Sequence, residues 1–225
     1  LIPNSKVTVI ESSDIGILGA GEGTTPHFIT FLKEININVT DLFKYAKATI
    51  KNGIKFTNWN EDNKFYYHNF YDRFALSRSN AAILKILAQD DNLDNYQYSS
   101  LVSKEDKVKF IRNQGNNIQQ QGEYAVHFDA TLLAKYLKQI GIERKINFID
   151  GIVEDIQTDE NSYITGIKLQ NGLLIKTDFV FDCTGFKRLV IGKHYQSKWI
   201  DYSEIIPNNR AIAFFIKNTS KQIPP

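Results

Sequence analysis

The sequence contains no methionine and only one cysteine among its 225 residues. The single cysteine, Cys183, excludes an internal disulfide, and this favours a reducing, cytoplasmic setting. Because no methionine could serve as an initiator, and because Leu1 leads almost at once into a strand-like run, we expect an internal fragment of a longer protein.

Long apolar runs and an excess of one charge are also absent. No run approaches the roughly 20 apolar residues of a membrane-spanning helix, and residues 1–6 show no signal-peptide pattern. The 27 basic and 25 acidic residues leave a net charge of +2, without the concentrated basic surface that nucleic-acid binding needs. We therefore expect neither a membrane nor a nucleic acid as partner.

The first half of the chain mixes strand and helix patterns. A β-branched run over 6–10, closed by Glu11, predicts a buried parallel strand. Apolar residues at helical spacing predict a helix over 26–34, with Thr25 as its cap. Further predictions are a helix from Thr40 or Asp41, strands over 54–59 and 65–70, a helix over 79–88, and mostly loop and short helix over 90–123.

Strands dominate the second half. Asp129 is predicted to cap an amphipathic helix over 130–139, which Gly141 ends. Asn171-Gly172 is a strong signal for a hairpin between strands. The predicted strands cover 146–149, 152–156, 164–169, 173–176 and, as a buried strand, 178–185. This order predicts an α/β nucleotide-binding domain with a β-meander and an inserted segment.

Glu11 and the stretch GAGEGTTPH at 19–27 are the first candidate binding elements. An acidic residue that ends the second strand of a dinucleotide-binding fold accepts hydrogen bonds from ribose, about 20 residues after the glycine fingerprint. This places the fingerprint before residue 1, so 19–27 is a different glycine loop. A solvated Glu11 and a plain strand-to-helix connection are the alternatives.

Lys51, His68 and Phe70 are candidates for chemistry on an aromatic ligand. Lys51 lies in apolar surroundings, where an amine can donate a hydrogen bond or act as a nucleophile; a solvated lysine is the alternative. Strand alternation puts His68 and Phe70 on one face, where they could stack on a flat ring, although core packing would explain them equally. The other histidines, His27, His127 and His194, show no metal-ligand spacing, so we predict no metal site.

Six segments, in this order and spacing, resemble the flavin-dependent tryptophan halogenase family. They are VTVIES at 7–12, GAGEGTTP at 19–26, ATIKNGIKFTNW at 48–59, FYYHNF at 65–70, YAVHFDATLLAKYL at 124–137 and FDCTGF at 181–186. The resemblance implies an FAD-binding Rossmann-like fold of the flavin-monooxygenase type, with a substrate region inserted at about 40–123 of a partial domain 1–225. It implies halogenation of an electron-rich aromatic such as tryptophan or another indole.

The resemblance also assigns roles to the catalytic and substrate residues. Lys51 matches the lysine that presents the electrophilic halogen, and His68 and Phe70 match residues that sandwich the aromatic substrate. The implied co-reactants are O2, a halide ion and reduced FAD, which a separate flavin reductase supplies. The oligomeric state stays open, with a homodimer among the states considered.

For the cofactor, the resemblance assigns Glu11 to the ribose and Val153 to a backbone contact near the adenine. Ala20, Gly21 and Glu22 fall in the loop that touches the flavin. The family's GxGxxG and WxWxIP motifs are absent from the sequence. The alternatives are a related FAD-dependent monooxygenase, which needs no sequestered lysine, and a truncated, non-catalytic flavin-binding module.

Overall fold

A computed structural model describes residues 4–17, 22–70, 78–89, 92–105, 107–108, 110–112, 118–120, 122–210 and 212. The chain divides into two compact units. Unit 1 comprises Leu1–Leu18 and Lys138–Ile212, and unit 2 comprises Gly19–Leu137 and Ala213–Pro225.

The described residues form five α-helices and eleven strands. The helices are α1 (Pro26–Glu34), α2 (Val39–Tyr45), α3 (Arg78–Leu87), α4 (Tyr98–Lys104) and α5 (Ala130–Glu143). The strands are β1 (Thr8–Glu11), β2 (Thr49–Lys51), β3 (Gly53–Thr57), β4 (Phe65–Asn69), β5 (Phe110–Arg112), β6 (Ile118–Gln120), β7 (Ala125–His127), β8 (Asn147–Asp150), β9 (Val153–Thr158), β10 (Ile164–Leu169) and β11 (Leu174–Lys176). Short 3-10 helices cover Leu93–Tyr96 and Gly185–Lys187, and a π-helix covers Leu189–His194.

Unit 1 combines a parallel strand pair with a β-meander. Strands β1 and β8 run parallel, and β9, β10 and β11 pair antiparallel in the order β11-β10-β9. Gly172 adopts a φ of +85° in the β10–β11 turn, which glycine accommodates without strain. Buried Ile156, Ile167 and Leu169 of the meander pack with apolar residues of both parallel strands. The predicted parallel strand, meander and hairpin are confirmed.

Helix α5 runs further than predicted, because Gly141 lies inside it rather than ending it. Asp129 does cap its start, since its carboxylate accepts a hydrogen bond from the backbone N–H of Leu132 at 3.0 Å. A Cβ on Gly141 would lie 2.8 Å from the ring of Phe148, so this glycine serves close packing against β8. The glycine therefore marks a helix–strand contact.

The predicted buried strand over 178–185 is wrong. None of these residues belongs to a strand of the described structure, Gly185 begins a 3-10 helix, and Phe179 and Phe181 are 74% and 83% exposed. Within this segment, Asp182 stabilises a turn. Its carboxylate accepts hydrogen bonds from Thr184 and from the backbone N–H groups of Val190 and Ile191. An apolar run without ladder partners cannot hold a strand.

Unit 2 contains helices α1 to α4 and three short antiparallel strand pairs. Helix α1 has the predicted bounds, although the Thr25 side chain makes no capping hydrogen bond. Asn38 caps α2, which starts at Val39. The strand pairs are β2-β7, β3-β4 and β5-β6. Leu32 and Leu42 are fully buried in its core. The stretch 90–123, predicted as loop and short helix, also holds the β5-β6 hairpin.

Candidate functional site

The site around Lys51 is built on strand β7 with a neighbour on each side. On one side, β2 pairs antiparallel with β7, so that Lys51 faces Ala125 and Thr49 faces His127. On the other side, Gly23 forms an antiparallel bridge with His127. Directly opposite residues point to the same face of a ladder, which places Lys51, His127 and Gly23 on one face.

The Lys51 side chain crosses β7. Its Nζ donates a hydrogen bond to the backbone carbonyl of Thr24 at 3.2 Å, on the far side of that strand. The residue directly beneath the crossing is Ala125, which is fully buried and has the smallest side chain that still keeps a Cβ. A larger side chain at that position would stand in the lysine's path.

Hydrogen bonds to β7 hold the segment that carries the acceptor, the Thr24 carbonyl. The Thr24 backbone N–H donates to the carbonyl of Val126 at 2.9 Å, and the Thr24 hydroxyl lies 3.0 Å from both the carbonyl and the N–H of Val126. The Phe128 N–H donates to the carbonyl of Glu22 at 3.2 Å. Residues 22–24 therefore lie hydrogen-bonded along β7 through an isolated bridge at Gly23, and the carbonyl of Thr24 has a defined position.

His127 shares the face with Lys51. A Cβ on Gly23 would lie 3.1 Å from Cε1 and Nδ1 of His127 and 3.2 Å from Nζ of Lys51. Both groups thus approach the glycine backbone where any other residue would carry a side chain. Burial of the ring lowers the pKa of His127 below its usual range, and the positive charge of Lys51 lowers it further. Both effects favour the neutral imidazole.

Phe70 brings an aromatic ring to the lysine. The Lys51 Nζ lies 5.7 Å from the Phe70 ring centroid, within cation–π range. The Phe70 N–H donates to the carbonyl of Asn52 at 3.4 Å, which fixes the end of β4 beside the end of β2. His68 is exposed two residues earlier on the same strand, and alternation places it on the Phe70 face.

Lys55 lies on the other face of the β3-β4 hairpin. It pairs with Tyr67, and its Nζ lies 4.2 Å from the Phe65 ring centroid and 5.9 Å from that of Tyr67. His68 pairs with Ile54 instead. The two lysines therefore contact different aromatic residues.

A buried polar network supports β4 from α4 and the short helix before it. The buried carboxylate of Asp94 accepts hydrogen bonds from the Tyr67 N–H at 3.0 Å and from the Ser100 hydroxyl at 2.9 Å. The Asn69 amide donates to Ser100 and to Gln97, each at 2.6 Å. This network holds the strand that carries His68 and Phe70.

In unit 1, the backbone of Glu11 is hydrogen-bonded to the segment that leads into Val153. The Gly151 N–H donates to the Glu11 carbonyl at 2.8 Å, and Val153 begins β9 two residues later. The Glu11 carboxylate forms an ion pair with Lys138 of α5 and keeps 41% of its side-chain surface exposed. An exposed carboxylate at the carboxyl end of a parallel strand suits vicinal ribose hydroxyls, so these residues fit the nucleotide end of FAD.

The predicted site residues therefore fall into two groups. Lys51, His68, Phe70 and the backbone of Glu22 lie in unit 2, whereas Glu11 and Val153 lie in unit 1. Ala20 and Gly21 lie outside the described residues. The sequence did not predict that His127 lies beside Lys51. That proximity depends on the register of β7 against β2 and Gly23, which residue spacing does not reveal.

The described residues contain neither a metal-binding cluster nor a membrane-spanning helix. Those residues contain no group of three or more His, Cys, Asp or Glu side chains that could hold a metal ion. Over the same residues, no helix is long and apolar enough to cross a membrane.

A family model described as tryptophan halogenase matches residues 2–225. The chain belongs to this family. Among its relatives, the 7-chloro-L-tryptophan 6-halogenase KtzR of Kutzneria sp. (strain 744) is 26% identical over 92% of this chain and 45% of its own length. The tryptophan 7-halogenase RebH of Lentzea aerocolonigenes is also 26% identical, over 93% of this chain and 43% of its own. The chain thus spans under half the length of these relatives.

Solved structures of halogenases share the fold of this chain. A flavin-dependent halogenase from Xanthomonas campestris matches 88% of the chain with a TM-score of 0.74 and 28% identity, over 40% of its own length. The tryptophan 5-halogenase MibH matches 90% of the chain with a TM-score of 0.77 and 25% identity, over 38% of its own length. The predicted FAD-binding Rossmann-like α/β fold is confirmed, while the predicted insertion at about 40–123 stays a prediction.

Proposed function

We propose that the protein containing this chain is a flavin-dependent halogenase that acts on an electron-rich aromatic such as tryptophan or another indole. The observation that carries the proposal is the Lys51 ammonium, held at the Thr24 carbonyl and facing the ring of Phe70. A lysine presented beside an aromatic wall suits delivery of an electrophile to a flat substrate.

Reduced FAD, O2 and a halide ion together supply hypohalous acid in this family's chemistry, and we propose that a separate flavin reductase provides the reduced cofactor. Lys51 then binds the hypohalous acid through an N–H donor, or reacts with it as the free amine to form an N–halogen bond with loss of water. Either form confines the oxidant and directs the halogen.

The substrate ring attacks the halogen with a π-electron pair. The bond between halogen and its oxygen or nitrogen breaks, the ring loses a proton, and the net change is hypohalous acid plus a ring C–H giving a C–halogen bond and water. Phe70 and His68 flank the approach as aromatic surfaces on which an indole could stack at about 4.5 to 7 Å between centroids.

A related monooxygenase would use the same fold and cofactor without needing Lys51 beside the substrate wall. The test is the product. The full-length protein, supplied with a flavin reductase, NADH, FAD, O2 and chloride or bromide, should convert tryptophan or an indole to a product with the halogen isotope pattern in its mass spectrum. A product gaining only oxygen, across a panel of indoles, would favour the monooxygenase and contradict the proposal.

A further inference from the structure

We propose that His127 is a positioning residue for Lys51, and that Gly23 provides the space in which the two side chains meet. The inference rests on the proposed function for its catalytic meaning. The geometry itself is independent of any activity: the two side chains share one face of the β2-β7 ladder and approach the same glycine.

The first step is steric. Lys51 is a flexible side chain with four rotatable methylenes, and holding it across Ala125 costs conformational entropy. One hydrogen bond to Thr24 at 3.2 Å offsets only part of this cost. The His127 ring, diagonal to Lys51 on the same face, forms a wall that limits the other positions available to the amine.

The second step concerns Gly23. Contacts of 3.1 and 3.2 Å from a Cβ at residue 23 are tighter than ordinary van der Waals contact. An alanine there would therefore push His127, Lys51 or both away from the strand. Glycine is required here for close approach rather than for an unusual φ angle, and this links the glycine-rich loop to the catalytic lysine.

The third step is electrostatic. A neutral imidazole can lie beside an ammonium, whereas an imidazolium there would repel it. Among the described residues, the titratable groups next to His127 and Gly23 along the chain are Glu22, Glu123, Tyr124 and Asp129. Alternation turns Glu22 and Tyr124 to the opposite face, Glu123 is exposed, and the Asp129 carboxylate is engaged with the start of α5, whereas the charge of Lys51 lowers the pKa of His127. Lys51 is therefore the charge that His127 senses most directly.

The contact is tested by NMR titration of the four histidines in the full-length protein. In the Lys51→Met variant the His127 pKa should rise, because a neighbouring positive charge has been removed. A His127 pKa that is the same in both proteins would overturn the proposal.

The positioning role is tested by the mobility of the lysine. In the wild-type protein, 13C relaxation should show the Lys51 Cε to be ordered, and His127→Ala should make it as mobile as a surface lysine. His127→Gln, which keeps a neutral polar side chain, should restore part of the order, and His27→Ala should have no effect. An equally ordered Lys51 in His127→Ala would overturn the proposal.

Turnover measurements test whether the position of Lys51 affects catalysis. If the protein halogenates, His127→Ala should lower kcat by about ten- to a hundredfold with KM changed less than threefold, since misplacing a reacting group acts on the chemical step. An unchanged kcat would overturn the positioning role. If the wild-type protein does not halogenate, the proposed function fails, while the titration and relaxation measurements still decide whether His127 positions Lys51.

Discussion

Lys51 reaches across β7 because of the small residues around it. Ala125 beneath its stem and Gly23 beside its amine leave the path open, and the Thr24 carbonyl receives the hydrogen bond. The sequence alone does not show that these residues meet. Their joint effect depends on strand register, which brings together residues about 27 and 74 positions from Lys51 along the chain.

Glu11 allows a prediction at the scale of a single residue. If its carboxylate accepts hydrogen bonds from the FAD ribose, Glu11→Gln in the full-length protein should weaken FAD binding by about ten- to a hundredfold, because hydrogen bonds to charged groups contribute roughly 1.5–3 kcal/mol. The dissociation constant can be measured by quenching of flavin fluorescence.

Lys138→Met is the matched control for Glu11→Gln. It removes the same ion pair but leaves the carboxylate, and exposed ion pairs contribute at most about 1 kcal/mol, so FAD affinity should change by less than about fivefold. Equal FAD affinity in wild type and Glu11→Gln would show that the carboxylate does not bind the ribose.

At the scale of elements, local sequence signals worked where a segment forms its own structure. Helix α1, the cap of α5 and the β10–β11 hairpin follow from spacing, a capping carboxylate and Asn-Gly, all of which act within a few residues. The segment 178–185 has the apolar pattern of a buried strand. It was wrongly predicted because strand formation requires a partner, which the pattern does not specify.

Gly141 provides the test at this scale. Glycine to alanine inside a helix normally gains about 1 kcal/mol of stability, but here the added Cβ would lie 2.8 Å from the Phe148 ring. Overpacking typically costs about 1–3 kcal/mol. We therefore expect Gly141→Ala to lower the free energy of unfolding in urea by about 1 kcal/mol.

The sign should reverse once the ring is removed. In a Phe148→Leu background, which leaves room for the Cβ, adding Gly141→Ala should raise the free energy of unfolding by about 1 kcal/mol, since only helix propensity then changes. Stabilisation by Gly141→Ala in the wild-type background would mean that the contact with Phe148 is not tight.

At the scale of the whole molecule, the family could be predicted from the sequence because six short segments occur in the family's order. The same resemblance predicted Lys51, His68 and Phe70 as site residues. The structure adds that the Lys51 amine contacts the ring of Phe70. His127 could not be found this way. A histidine without a partner in the local sequence gains meaning only when β2, β7 and residues 22–24 form one ladder.

The central claim, that Lys51 carries the halogen to the substrate, is tested most directly by Lys51→Met in the full-length protein, with Lys55→Met as the matched control. Lys55 also contacts aromatic rings but lies on the opposite face of the β3-β4 hairpin. We predict that Lys51→Met lowers halogenated product at least a thousandfold, equivalent to about 4 kcal/mol of transition-state stabilisation, while reduced flavin is still oxidised by O2 at the wild-type rate. Lys55→Met should halogenate at a rate within about twofold of wild type. Halogenation by Lys51→Met at a rate close to that of Lys55→Met would contradict the account.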